Sequence, residues 1–227
     1  MNVWENYYDK AENCRHWPDE DVARFLGSVQ KGILEEIGVM DIGCGDGRNC
    51  QAVRRRFRNA MVHGIDPFLV RPASFLDDHY LNDYEELTPE PIISFLKRHH
   101  CLYDVVIDCM TSQHFHWHEH EEYFQLVHKA LSPGGWFFLK HLNSNCSDCG
   151  LTEPIDSYKA TFRNIPNVPD ACFPDNGLVC MPGHWDLKDE LSKAGFIISK
   201  DYELARDEPV SGKLFAHSIF FCQKESK

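Results

Sequence analysis

The stretch VMDIGCGDGRN sets three glycines, Gly43, Gly45 and Gly47, between an apolar run that reads as a strand and the segment GRNCQAVRRRF, which reads as a helix. In an open parallel sheet such a turn is where a ligand settles. Glycine lets the backbone bend tightly and approach the ligand, and the helix N-terminus offers N–H groups without intrahelical partners. The loop alone does not name that ligand. A dinucleotide fingerprint requires GxGxxG with a small last residue, and Arg48 occupies that position, which opposes close packing of a pyrophosphate.

The rest of the chain repeats the same alternation. GVMDIG, MVHGID, YDVVIDCM, GWFFLK, GFIISKDYEL and FAHSIFFCQ read as strands from their length and their β-branched or aromatic content. Between them, GRNCQAVRRRF, PEPIISFLKRHH, HEEYFQLVHKAL and WDLKDELSKA carry apolar residues at helical spacing. Strands alternating with helices imply parallel pairing through right-handed crossovers, and the near-continuous apolar character of YDVVIDCM suits a strand covered on both faces. Two segments depart from the pattern. Residues 1–32 form an aromatic-rich helical stretch before the first strand, and residues 141–184 form a long insertion with little periodicity, of the kind that serves as a lid or binding loop.

Asp41, Gly43, Gly45 and Gly47 together resemble motif I of the class I S-adenosylmethionine-dependent methyltransferases, whose order is D/E-x-G-x-G-x-G. Further pieces agree in order. VHGIDPF ends a second strand with Asp66, about 20 residues past the loop, where a carboxylate accepts the ribose hydroxyls of a nucleoside. YLNDYEEL resembles the family's third-strand segment, so that Asp83 matches the carboxylate that takes the adenine amino group, with Tyr84 beside the ring. YDVVIDCM matches the fourth strand and ALSPGGWFFLK the turn into the fifth. The resemblance runs from about residue 4 to 222 and leaves 141–184 unmatched. It implies an α/β fold in a single domain, 1–227: a doubly wound, mostly parallel seven-stranded sheet with helices on both faces. Helices of an N-terminal lid (1–32) and a substrate cap inserted between strands five and six (141–184) complete it.

The implied cofactor is S-adenosylmethionine, with S-adenosylhomocysteine as product. Its expected contacts are Tyr8, Asp41, Gly43, Cys44, Gly45, Asp66, Pro67, Asp83, Tyr84 and Asp108. Because the sulfonium is already activated, transfer is an in-line displacement accelerated mainly by alignment, and the protein needs a shaped, dry pocket more than a reactive side chain. Trp4, Tyr7 and Tyr8 suit a lid, since aromatic faces favour a cation and their bulk excludes water.

SQHFHWHEHEE places His114, His116, His118 and His120 at alternate positions after the fourth strand. In the family pattern this loop faces the methyl group, and His114 is the expected general base, a neutral imidazole able to take a proton from a hydroxyl or ammonium acceptor. His114 with His118, and His116 with His120, stand four apart, a helical ligand spacing, but the HExxH arrangement of a zinc-hydrolase helix is missing and strict alternation suits neither a helix nor a buried strand. Cys146 and Cys149 make one CxxC knuckle, which Cys172 with Cys180 or His184 would have to complete at a spacing foreign to zinc ribbons. No metal is expected. Lys140, ending the fifth strand, is the second expected catalytic residue; it serves an anionic acceptor or, as in ribose 2′-O-methyltransferases, pairs with an aspartate after strand four, for which Asp108 is available.

A formal net charge of -12 argues against tracking a phosphate backbone and favours a small-molecule acceptor methylated at oxygen or nitrogen. RNA ribose methylation and a non-catalytic scaffold of the same fold are the competing readings. The N-terminus lacks a basic stretch followed by an apolar one, and no apolar run reaches bilayer length, so a cytoplasmic protein without membrane contact, monomeric or homodimeric, is expected. The ten cysteines sit largely in apolar runs and read as free thiols.

Overall fold

Val22, Phe25 and Leu26 recur at helical spacing and bury one face of α1 (Glu20–Ser28), whose N-terminus is capped by Asp19: its carboxylate accepts the Asp21 N–H at 2.9 Å and the Val22 N–H at 3.4 Å. This helix opens the described part of the computed structural model, which comprises residues 18–45, 47–67, 85–88, 91–146, 152–155, 161–164, 178–207 and 214–226. Trp4, Tyr7, Tyr8, Asp83, Tyr84, Cys149 and Cys172 lie outside those residues.

The elements that follow are β1 (Ile37–Ile42), α2 (Arg48–Arg56), β2 (Ala60–Ile65), β3 (Glu85–Thr88), α3 (Ile92–Arg98), β4 (Tyr103–Cys109), α4 (His120–Ala130) and β5 (Leu131–Leu142). Three short strands come next, β6 (Thr152–Pro154), β7 (Thr161–Asn164) and β8 (Leu178–Cys180), then α5 (His184–Lys193), β9 (Ile197–Asp207) and β10 (Leu214–Gln223). The main sheet runs β3-β2-β1-β4-β5-β10-β9, parallel from β3 to β5, with β10 antiparallel to both neighbours.

Two apolar layers cover it. Phe25 and Leu26 of α1 and Val53 of α2 pack with Val39, Ile107 and Phe138 on one face. Tyr123, Phe124 and Val127 of α4, Phe95 of α3 and Leu187 of α5 pack with Met40, Val106 and Phe137 on the other. Buried on both faces, β1 and β4 are mostly apolar, and the aspartates near their carboxyl ends, Asp41 and Asp108, are themselves buried. β1 stands at the centre with β2 and β4 on either side, so the strand order reverses there, and the glycine turn stands at its carboxyl end, where open parallel sheets take their ligands.

Within 141–184, where the sequence reads as irregular, β6, β7 and β8 form a small antiparallel sheet. Three or four residues per strand are too few to show a periodicity. Its β8 edge joins a small apolar cluster of Leu142, Cys146, Val179 and Met181. Among the described residues, no helix is long and apolar enough to cross a membrane.

Candidate functional site

The backbone turns out of β1 through Gly43, Gly45 and Gly47, with φ of 67°, 53° and 78°, a region that side-chain-bearing residues rarely enter. At Gly43 space demands glycine as well, since an added Cβ would collide with the Thr111 side chain. The Gly43 and Cys44 N–H groups donate to the Ile65 carbonyl at 2.6 and 3.2 Å, tying the turn to the end of β2. One residue on, the Gly45 N–H donates to Asp66 Oδ2 at 2.9 Å. The turn and the carboxylate that ends β2 therefore form one unit on the carboxyl edge of the sheet, with Pro67 directly after it. At Gly47 an added Cβ would meet nothing within 4 Å among the described residues. The N-terminus of α2, where a helix leaves its first N–H groups without intrahelical acceptors, and the neighbouring Asp66 carboxylate are what a nucleoside with an amino-acid tail requires, so the residues fit the expected cofactor. Asp41 acts from beneath: it is buried and accepts the Cys50 thiol at 3.3 Å.

Asp108, expected among the cofactor contacts, lies at the end of β4. It is fully buried, and its carboxylate accepts the Thr111 N–H at 2.9 Å, the Ser112 N–H at 3.3 Å and the Tyr123 hydroxyl at 2.7 Å. Burial pushes its carboxyl above the usual carboxylate range, against those hydrogen bonds. A carboxylate so placed holds the turn after β4 to α4. It does not meet Lys140, whose ammonium pairs with Asp19 at 2.8 Å and Asp21 at 3.0 Å instead. Burial works against that ammonium, but Asp19 beside it more than compensates and raises its pKa, while burial of Asp19 is outweighed by Lys140 and its carboxyl falls. The reason lies in the pleat: Lys140 faces the α1 side of the sheet, and Asp108 is held on the α4 side by Tyr123. With two carboxylates on one ammonium, the anion-binding role expected of Lys140 loses its charge.

The four alternating histidines split into different environments because the segment folds as two short 3₁₀ turns, Ser112–His114 and Trp117–Glu119, before α4 begins. His114 is half-buried, and its Nδ1 lies 2.9 Å from the Leu178 carbonyl of β8. A carbonyl accepts only, so Nδ1 carries the proton and Nε2 is the basic nitrogen. The Gln113 amide N–H donates to that Nε2 at 3.3 Å, while Gln113 Oε1 accepts the Leu142 N–H at 3.4 Å, which orients the amide. Burial holds the His114 pKa below its ordinary value. His116 and His118 stack on each other with centroids 5.2 Å apart. His120 is fully buried, its Nε2 3.2 Å from that of His141. Among the described residues no three of His, Cys, Asp and Glu are grouped to hold a metal ion.

Sequence reasoning missed Gln113, the Asp19–Lys140–Asp21 triad and the buried His141 and His217. Only Asp19 carried a local signal, an aspartate just ahead of an amphipathic segment.

A family model described as a methyltransferase domain matches residues 11–200. No curated protein matches the sequence. Among solved structures, the Burkholderia thailandensis 1,6-didemethyltoxoflavin-N1-methyltransferase, with bound 1,6-didemethyltoxoflavin and S-adenosylhomocysteine, superposes with a TM-score of 0.68 at 14% identity, over 97% of this chain and 84% of that one. A S-adenosylmethionine-dependent methyltransferase from Methanosarcina mazei gives 0.66 at 18% identity, over 86% and 96%. A cyclopropane synthase of Mycobacterium tuberculosis gives 0.60 at 14%, over 98% and 94%. At such identities the likeness is one of fold.

Proposed function

The chain belongs to the methyltransferase domain family, of the class I S-adenosylmethionine-dependent type, and from that premise we propose that it methylates an oxygen or nitrogen of a small-molecule acceptor. The observation that carries the reading is the hydrogen bond from Gly45 N–H to Asp66, which sets a carboxylate beside the glycine turn at the point where strand order reverses.

The glycine turn receives the amino-acid end of the cofactor and Asp66 its ribose hydroxyls; Asp83 and Tyr84, with Tyr8, complete the nucleoside's contacts. When bound, S-adenosylmethionine supplies an activated methyl group. The chain's residues do the rest. The His114 imidazole, fixed at Nδ1 by Leu178, takes at Nε2 the proton that a hydroxyl or ammonium acceptor must lose, the acceptor displacing the long Gln113 hydrogen bond from that nitrogen. The Leu178 contact also joins the 141–184 segment to the base, as does the Trp117 N–H, which donates to Thr161 Oγ1 at 2.9 Å. That supports a substrate cap over the acceptor within a single domain; the expected lid, residues 1–32, falls largely outside the described residues.

Two observations weigh against RNA ribose methylation: the net charge of -12, and the commitment of Lys140 to Asp19 and Asp21 rather than to Asp108. A non-catalytic scaffold would have no use for a histidine whose tautomer and orientation are both set. Incubation with methyl-labelled cofactor and separated cell fractions tests the choice. Label should enter the small-molecule fraction; label confined to RNA or protein overturns the reading.

A further inference from the structure

His217 is 8% exposed, and neither of its ring nitrogens has a hydrogen-bond partner. Every neutral imidazole carries one N–H donor and one acceptor lone pair, and buried polar groups left unmet are few in folded proteins. His217 pairs with Leu142, the last residue of β5, and so stands on the ligand edge of the sheet. Its neighbour in register, Ile219, pairs with Lys140, and side chains alternate, so His217 lies on the same face as the Asp19–Lys140–Asp21 triad. His114 reaches the same strand end from the segment after β4 through Gln113, whose amide donates to His114 Nε2 at 3.3 Å and whose Oε1 accepts the Leu142 N–H at 3.4 Å.

The charges around His217 are already matched. Lys140 holds Asp19 and Asp21, and Asp21 also takes Arg24 at 2.7 Å and the Tyr202 hydroxyl at 3.1 Å. Arg206, the other cation acting on the ring, pairs with Glu20 at 3.4 Å, so among the described residues an anionic ligand group finds no unpaired cation there and a cationic one no unpaired carboxylate. Burial keeps the imidazole itself neutral, with a pKa lowered to about 4.

We propose that His217 is a binding contact for the methyl acceptor and that it hydrogen-bonds an uncharged polar group, a hydroxyl or an amide, across the strand end from His114. This rests on the methyl-transfer reading and narrows it to acceptors that are neutral at that contact. Its ring meets the acceptor directly and serves no other residue.

Phenol, benzoate and benzylamine, alike in size and different in charge, are suitable probes. With the protein saturated in S-adenosylhomocysteine, the ring ¹⁵N resonances of His217, assigned by their loss in His217→Phe, should move on addition of phenol and stay in place with the other two. Affinity for phenol should fall about 10-fold in His217→Phe, the equivalent of one hydrogen bond, and stay within about 3-fold in His217→Gln. Calorimetry should give one S-adenosylhomocysteine affinity for all three proteins. The proposal is overturned if phenol leaves the ring resonances unmoved, if benzoate or benzylamine moves them equally, if a buried water alone accounts for them, or if His217→Phe binds phenol as the parent does. Failure of the parent to take up S-adenosylhomocysteine would instead remove the methyl-transfer reading, and this contact with it.

Discussion

Lys140 Nζ and Asp19 Oδ2 meet at 2.8 Å across 121 positions of chain, joining the end of β5 to the N-cap of α1. Asp21 closes the triad at 3.0 Å, and the lysine and both aspartates are largely buried. Two carboxylates and one ammonium tolerate burial only together, because each charge offsets the desolvation of the others. Replacing the lysine removes the one cation that both carboxylates share among the described residues. Lys140→Met should cost about 3–5 kcal/mol of stability in urea unfolding. A loss below 1 kcal/mol, about the value of an exposed pair, would contradict the geometry.

The base assignment predicts a split in kinetics. His114→Gln should lower kcat about 10²- to 10⁴-fold and leave S-adenosylhomocysteine affinity unchanged. Because burial lowers the His114 pKa, the neutral, proton-accepting form persists below the ordinary value near 6.5, and the acidic limb of the kcat profile should lie below that pH. An acidic limb above about pH 7 would contradict His114 as the base.

Stability should fall on mild acidification. Burial lowers the pKa of His120 and of His217 to about 4, and lowers those of His114 and His141 as well. The unfolded chain takes up these protons near pH 6.5 and the folded chain does not, so stability is complete above that pH and declines from there towards pH 4. Each histidine contributes up to about 1.4 kcal/mol per pH unit in that window. His128, lowered by its partial burial and by Lys224, acts with these four, and Asp108, whose carboxyl burial pushes up, acts in the opposite sense. Chemical unfolding at pH 7, 6 and 5 checks the slope, and a flat or rising stability on acidification would refute it.

How far the sequence discloses this molecule depends on whether a signal is local. The glycine turn, Asp66 after β2 and the helices behind β1 and β4 were legible, because a positive φ, a two-sided burial and a helical period each leave a mark within a few residues. The triad was not, because Lys140 and Asp19 are neighbours only after β5 and α1 pack. For the same reason nothing near Asp108 in the chain announces the Tyr123 hydroxyl on α4. Strict alternation of the histidines suits neither helix nor strand, and two 3₁₀ turns explain it by sending His114 to β8, stacking His116 on His118 and burying His120 against His141. His217 gave no sign at all in FAHSIFF, where it sits among apolar neighbours.

The central claim is that the turn at Gly43–Gly45 and the Asp66 carboxylate together hold the nucleoside cofactor. Titration calorimetry of the protein and of Asp66→Ala with S-adenosylhomocysteine tests it most directly. The account predicts binding by the parent and a loss of about 10-fold or more in the variant, the value of one or two charge-assisted hydrogen bonds. No uptake by the parent, or equal affinity in the two proteins, would contradict it.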